Sequence, residues 1–266
     1  MSQAATISPE SRKAELLKVL EREGECTIDA LADRFTVSGM TIRRDLQDLA
    51  DDGQVIRTHG GATLARRISF EFRFLERTQE HAREKALIAD LAASFVEPGQ
   101  SVLLDSGTTT LAIAQRLPAV GPLTVVTTSL PIASQLFGRP QIEVVLLGGT
   151  LRHDAPDLTG ALTDSSLELV RTDIAFLGAD AIDAEGWLYN QSEDVGRLLK
   201  RMAKASDRVF AVADHSKVGR HELMRFGRLR DWDGLITDRW LDRDLIHQLR
   251  RHGGSVMMAG KGQRRG

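Results

Sequence analysis

A single cysteine, Cys26, stands among 266 residues, which excludes an internal disulfide framework and a cysteine-built metal site. A lone thiol fits a reducing compartment. No apolar run approaches the roughly 20 residues that a membrane span requires, and the first residues lack the apolar stretch of a secretion signal. The expectation is a cytoplasmic protein without membrane association. An excess of one charge is missing too: 35 Lys and Arg face 37 Asp and Glu, a net of −2. The seven histidines show no metal-ligand spacing, so no metal, cofactor or catalytic residue is expected. A hydrophobic content of 42% with 27% charged residues is that of an ordinary folded chain. Its length allows two domains, each with a core.

Against that plain background one stretch stands out, Val37-Ser38-Gly39-Met40-Thr41-Ile42-Arg43-Arg44-Asp45-Leu46-Gln47-Asp48-Leu49. Ser38 can cap a helix, its hydroxyl accepting an orphan N–H of the first turn. Ile42, Leu46 and Leu49 recur at spacings of four and three and make one apolar stripe. The other face of the first turns carries Thr41, Arg43 and Arg44, donors suited to phosphate oxygens and base edges. A buried back with a donor-rich start is what a DNA-reading helix needs. The plain alternative is a surface helix with two solvated arginines.

The flanking residues weigh against that alternative. Ser8-Pro9 opens a first helix, with proline at the first helical position, and Gly24 ends it. Thr27 caps a second helix with apolar Ile28, Leu31, Ala32 and Phe35, and Thr36-Val37 turns into the third. Beyond it, Val55-Ile56 and Ala62-Thr63-Leu64 read as two strands about a tight Gly60-Gly61 turn. Such a hairpin would be a wing, with Arg57 and His59 reaching the DNA backbone or minor groove. Residues 1–64 are therefore expected to form a small α+β winged helix-turn-helix domain, with Ser38, Thr41, Arg43, Arg44, Arg57 and His59 as its DNA contacts. Residues 1–66 hold nine Lys and Arg against eleven Asp and Glu. Positive charge must then be local, and homo-oligomerisation would add such patches together.

Residues 65–79 read as a linker. Phe70, Phe72 and Phe74 alternate with polar residues, and this period of two suits an edge strand packed on one domain. Residues 80–260 alternate helices with short apolar runs: 101–104, 123–126, 142–147, 174–177, 209–212 and 234–236. Helical patterns lie between them, as at 132–137, 165–170, 196–205 and 242–251. This alternation predicts a mostly parallel α/β sheet.

In such sheets ligands bind at the carboxyl ends of the strands. The first strand leads into Asp105-Ser106-Gly107-Thr108-Thr109-Thr110, the second into Thr127-Thr128-Ser129, the third into Gly148-Gly149. Hydroxyls and glycines at helix starts let backbone N–H groups close on a phosphate. Later strand ends supply Gly178, Asp180 and Asp214, with Lys217 close behind. A phosphate-bearing small ligand is the functional reading, and capped helix starts are the plain one.

Taken together, Thr41-Ile42-Arg43-Arg44-Asp45-Leu46, His59-Gly60-Gly61-Ala62, Asp105 to Thr110, Leu147-Gly148-Gly149 and Asp214-His215-Ser216-Lys217 resemble the motifs of the DeoR family of bacterial transcriptional regulators. The resemblance runs from Ser8 to Asp238. It implies a repressor of a carbohydrate-metabolism operon. Its second domain would be similar to the folds of ribose-5-phosphate isomerase and glucosamine-6-phosphate deaminase. Its partners would be double-stranded operator DNA and a phosphorylated sugar, as a dimer or tetramer. Asp105, Ser106, Gly107, Thr108, Thr109, Thr110, Thr128, Gly148, Gly149, Asp180, Asp214 and Lys217 would surround the effector. One departure stands out. Many members carry Glu-Val-x-x-Lys-Arg after the fourth strand, whereas here Leu199 stands where lysine is common. Arg197 or Lys200 would then supply the cation.

Gly254 to Lys261 resembles a phosphate-binding loop but has the wrong spacing and no Ser or Thr after the lysine. His221-Glu222 lacks the second histidine of a zinc-protease helix. Cys26 reads as a small buried residue. The competing function is a sugar-phosphate isomerase or deaminase with an appended DNA-binding domain, using Asp105 or Asp180 as acid and base. The intact reading helix and wing favour the regulator.

Overall fold

A computed structural model describes residues 8–65, 74, 76–153 and 155–260. The chain divides into two compact units between Glu76 and Arg77.

The first unit runs α1 (Pro9–Glu23), β1 (Cys26–Thr27), α2 (Ile28–Phe35), α3 (Gly39–Asp51), β2 (Val55–Thr58) and β3 (Gly61–Leu64). The caps are those the sequence suggests: Ser8, Thr27 and Ser38 accept the N–H of Ser11, Ala30 and Thr41. Leu16, Leu20, Leu31, Ile42 and Leu46 are almost wholly buried at the centre of the three helices. Burying each such side chain contributes on the order of 2 kcal/mol. One charged pair shares this interior: Arg12 of α1 donates to both carboxylate oxygens of Asp45 on α3, at 2.5 and 3.0 Å. This bidentate pair fixes the rotation of α3, because Asp45 faces inward beside Leu46 while Arg43 and Arg44 face out.

The wing differs in detail from its sequence reading. Thr58 pairs with Gly61, so the turn residues are His59 and Gly60, with φ of +130° at Gly60. Gly61 begins β3 instead and pairs with β1, a strand the sequence did not suggest, in the order β1-β3-β2. A Cβ on Gly61 would lie 2.1 Å from the Cys26 carbonyl oxygen, so this crossing demands glycine. Cys26 is buried there, and burial pushes its thiol above the ordinary cysteine range.

Residues 66–73 and 75, including Phe70 and Phe72 of the expected edge strand, lie outside the described residues. Residues 76–79 are helical. Their Glu, Arg and Gln side chains favour helix over strand.

The second unit is built on seven parallel strands: β4 (Ser101–Leu104), β5 (Leu123–Thr127), β6 (Ile142–Leu146), β9 (Thr172–Gly178), β12 (Ser206–Val212), β14 (Gly234–Asp238) and β15 (Val256–Ala259). Short hairpin strands β7 (Thr150–Leu151) and β8 (Leu158–Thr159) follow β6. A separate antiparallel sheet joins β10 (Ala181–Ile182), β11 (Trp187–Asn190) and β13 (Met224–Arg228). All six apolar runs of the sequence are strands. The seventh, β15, occupies the stretch that imitates a phosphate-binding loop, and its Val256 and Ala259 are buried against β14.

The helices are α4 (Ala82–Ala93), α5 (Thr108–Ala114), α6 (Leu130–Leu136), α7 (Ala161–Glu168), α8 (Glu193–Lys204) and α9 (Arg243–Arg251). Sheet order is β15-β14-β12-β9-β4-β5-β6. The chain starts at β4, builds outward through β5 and β6, then returns to the other side of β4 with β9. The direction of winding therefore reverses between β4 and β9, and beyond their carboxyl ends such a sheet opens a crevice.

Two outcomes follow for the first unit. Asp45→Ala should destabilise it by about 2–3 kcal/mol by removing the carboxylate that the buried Arg12 guanidinium donates to twice, whereas Arg12→Met with Asp45→Leu should recover most of that loss. Urea denaturation of the three proteins checks this. Gly61→Ala should cost about 2–3 kcal/mol through the clash with Cys26, visible as a lowered unfolding midpoint, while Gly60→Asn, free of clashes but strained at φ +130°, should cost about 1–2 kcal/mol.

Candidate nucleic-acid interface and effector site

The start of α3 presents one polar face. Ser38 Oγ lies 2.9 Å from Thr41 Oγ1 while also capping the helix, so these two hydroxyls are mutually positioned. Arg43 and Arg44 are exposed and make no hydrogen bond or ion pair among the described residues. Met40 is 71% exposed beside them. On the wing, Arg57 Nη1 donates to Gln47 Oε1 of α3 at 2.9 Å, which ties the hairpin to the helix, and His59 is exposed at the tip. The six residues expected to contact DNA thus lie on α3, its cap and the wing of one unit. None is consumed by an ion pair.

At the switch point of the second unit, Asp105 follows β4 and is 7% exposed. Its Oδ1 accepts from Gly107 N at 3.0 Å and Thr110 Oγ1 at 2.6 Å, and its Oδ2 from Gly178 N at the end of β9 at 2.6 Å. Burial raises this carboxyl above the usual carboxylate range, against the pull of those three donors. Asp105 and Thr110 are therefore braces, with their polar atoms turned into the protein. Ser106 and Gly107 are half-buried in the loop, and Thr108 and Thr109, both buried, open α5, where Leu111 N makes the first backbone bond of the helix to Gly107 O.

Two neighbouring loops close on this one. Thr127 Oγ1 donates to Leu104 O at 2.9 Å, and Ser129 caps α6. Between them Thr128 is 1% exposed, and its hydroxyl has no partner among the described residues. The chain after β7 crosses here, with Leu158 N bonded to Thr128 O. It delivers Asp157, 1% exposed, which accepts from Ser106 Oγ at 2.5 Å. The other oxygen, Asp157 Oδ1, receives no hydrogen bond, and Arg152 Nε stands 3.4 Å away. The sequence reading missed Asp157 and Arg152, because the hairpin that brings them in spans only two residues per strand.

A second group of polar side chains sits at the ends of β12 and β14. Asp214 is buried and accepts from Ser216 N and Oγ, opening the turn that carries Lys217. Asp238, fully buried, accepts from His215 N at 2.8 Å and from Trp240 N at 2.9 Å. Lys85 of α4 points to this side. It is 6% exposed and donates to the carbonyls of Arg77 and Glu80. Burial pulls its ammonium below the ordinary lysine range, partly offset by the attraction of Asp214. Its place three residues before Ile88 and seven before Ala92, on the apolar face of the helix, was the signal the sequence offered for it. Asp180, after β9, accepts from Gln191 N and lies 3.7 Å from Arg77 Nη2.

Two expected effector residues fall elsewhere. Gly149 (φ +156°) is packed against the chain: a Cβ there would lie 2.1 Å from Thr163 Oγ1, while Gly148 faces open space. Lys200 is not brought to the strand ends. Helix α8 begins at Ser192 beside them and leads away, and at 1.5 Å per residue Lys200 lies roughly 12 Å along it. There it borders a different groove, with Trp187 and Arg228. Arg197, the other cation suggested for that role, pairs with Asp194 and Asp164 on the surface.

Among the described residues no group of His, Cys, Asp and Glu is placed to hold a metal ion, and no helix is long and apolar enough to cross a membrane.

Comparison with known proteins agrees with this two-part layout. Residues 12–67 match the family described as the DeoR-like helix-turn-helix domain, and residues 80–239 the DeoR C-terminal sensor domain. The chain is 34% identical over 249 residues to the transcriptional regulator GlpR of Haloferax volcanii, covering 94% of this chain and 97% of that one. It is 31% identical to the glycerol-3-phosphate regulon repressor of Escherichia coli strain K12, covering 84% and 88%. Among solved structures, ribose 5-phosphate isomerase A of Methanocaldococcus jannaschii is similar over 52% of this chain and 55% of its own, at 18% identity and a TM-score of 0.39. The matched helix-turn-helix and sensor domains, with relatives that are similar over almost their whole length, place this chain in the DeoR family of transcriptional regulators.

Proposed function

We propose that the protein is a cytoplasmic repressor of a carbohydrate-metabolism operon, and that a phosphorylated sugar bound at the β4/β9 switch point controls its hold on operator DNA. The observation that carries this reading is the convergence of three loops on one crevice, where the buried Thr128 hydroxyl and Asp157 Oδ1 make no hydrogen bond among the described residues, Asp157 Oδ1 having only the Arg152 charge at 3.4 Å. Such oxygens are costly unless something donates to or accepts from them. Ser106 to Thr109 offer hydroxyls and backbone N–H groups for a phosphate, and Lys217 with Lys85 supplies positive charge. Asp157 Oδ1, an acceptor, suits a hydroxyl of the same ligand. A relative named as a glycerol-3-phosphate regulon repressor supports a phosphorylated polyol.

On the DNA side, Arg43 and Arg44 read the major groove from α3, with Ser38, Thr41, Arg57 and His59 on phosphates. The unit's acidic balance means that a single copy would bind weakly, so the functional form is a homo-oligomer. Exposed Phe137, Leu146 and Leu151 near the open β6 edge of the sheet support self-association. The isomerase alternative is disfavoured at both its candidate acids: Asp105 has both oxygens engaged by the protein, and Asp180 accepts from Gln191 N on one oxygen with Arg77 3.7 Å from the other.

Arg43→Ala or Arg44→Ala should weaken operator binding about tenfold or more without changing thermal stability, and lower the slope of log affinity against log salt by about one if a phosphate contact is lost. Full affinity in both would remove α3 as the reader. Thr108→Val with Thr109→Val should abolish the sugar-phosphate response while leaving DNA affinity intact. Asp157→Asn should instead change which sugar phosphates act. A normal response in the double valine variant would move the site elsewhere.

A further inference from the structure

We propose that the second unit carries another anion site, separate from the effector crevice, which takes a small oligophosphate. It is a groove of about 480 Å³ bordered by Trp187, Lys200, Lys204, Arg225, Arg228 and Trp232. That volume suits a metabolite-sized ligand. Ser206 and Asp207 at the start of β12 also line it, whereas the effector crevice lies beyond the other end of the strand. With seven residues in β12 the two sites are roughly 20 Å apart.

The charge in this groove is arranged in a particular way. Arg225 and Arg228, on β13, both place their guanidinium groups over the Trp187 ring, 4.7 and 4.6 Å from its centroid. A cation over an indole is held by the negative face of the ring, which accepts few of its N–H bonds and leaves donors for a stronger acceptor. The ring also holds the two cations still. Arg225 spends one donor, Nε, on Tyr189 Oη at 3.0 Å. Arg228 Nε is buried and has no acceptor among the described residues. Lys200 and Lys204 approach from α8, one turn apart, and make no ion pair or hydrogen bond among the described residues. Trp232 lies over Gly227, where a Cβ would come within 2.9 Å of Cζ2, and walls the groove with Phe226.

Three carboxylates also border the groove, and each has a partner. Asp207 pairs with Arg171, Asp233 accepts from Val209 N at 2.8 Å, and Asp231 stands 3.8 Å from Arg230. The four cations are thus left facing one space, two of them held rigid by one indole and one with a buried unmatched donor. A single carboxylate would satisfy one of them. Linked phosphate groups, with several oxygens spread over a few ångströms, satisfy all four.

Inorganic pyrophosphate titrated into the full-length protein tests this by calorimetry, with tryptophan fluorescence as a second readout because Trp187 and Trp232 border the groove. Saturable binding should be weakened at least about tenfold by Arg228→Gln, as expected when a charged hydrogen bond is lost. It should persist in Thr108→Val with Thr109→Val. Lys200→Gln with Lys204→Gln, at exposed positions, gives the same test should Arg228→Gln fail to fold. Absence of pyrophosphate binding, affinity unchanged in the groove variants, or loss of all binding in the double valine variant would each overturn the proposal. The last outcome would leave the effector crevice intact as the one anion site.

Discussion

Asp105 accepts three hydrogen bonds in the interior of the sensor unit, one from its own loop backbone, one from Thr110 and one from Gly178. A lone buried carboxylate is strongly unfavourable, so its place at the strand end depends on all three donors at once. The consequence is geometric. The loop after β4 is clamped to the end of β9, across the point where the sheet changes direction. Three loops that line the crevice are linked through that clamp: Ser106 reaches Asp157, Asp157 anchors the hairpin after β6, and the hairpin crosses the loop that holds Thr128.

The DNA-reading unit solves a similar problem with a different pair. Arg12 and Asp45 lie inside a helical core and set the face that α3 shows to solvent. Because Asp45 is held inward, the arginines before it are held outward. A charged pair is a poor source of net stability but a good source of orientation. Both units use a buried carboxylate to place exposed polar groups. In each, the polar groups available to a partner are those left over once the carboxylate is satisfied.

Local signals made much of this legible in the sequence. Ser38 before an Ile42-Leu46-Leu49 stripe, and hydroxyls after short apolar runs, are patterns of cap and periodicity that neighbours in the chain decide. What escaped was decided by distant neighbours. Arg12 and Asp45 are 33 residues apart, Ser106 and Asp157 are 51, and nothing local marks either pair. Gly61 read as a turn residue because its real constraint comes from Cys26, across a strand too short to notice. Lys200 read as an effector cation because it follows Leu199, where lysine is common in the family, and a motif position says nothing about which way α8 runs. Asp105 and Thr110 read as ligand contacts, yet burial had turned their polar atoms inward.

The central claim is that the crevice and the reading helix are thermodynamically coupled, and coupling of this kind is reciprocal. The most direct measurement is fluorescence anisotropy of DNA from the protein's own promoter region, titrated with the protein at fixed salt, with and without each of a panel of sugar phosphates. The expected result is specific binding that one class of sugar phosphate shifts by a constant factor, with the DNA shifting the affinity for that sugar phosphate by the same factor. Specific DNA binding that no sugar phosphate alters, or turnover of a sugar phosphate without specific DNA binding, would contradict it.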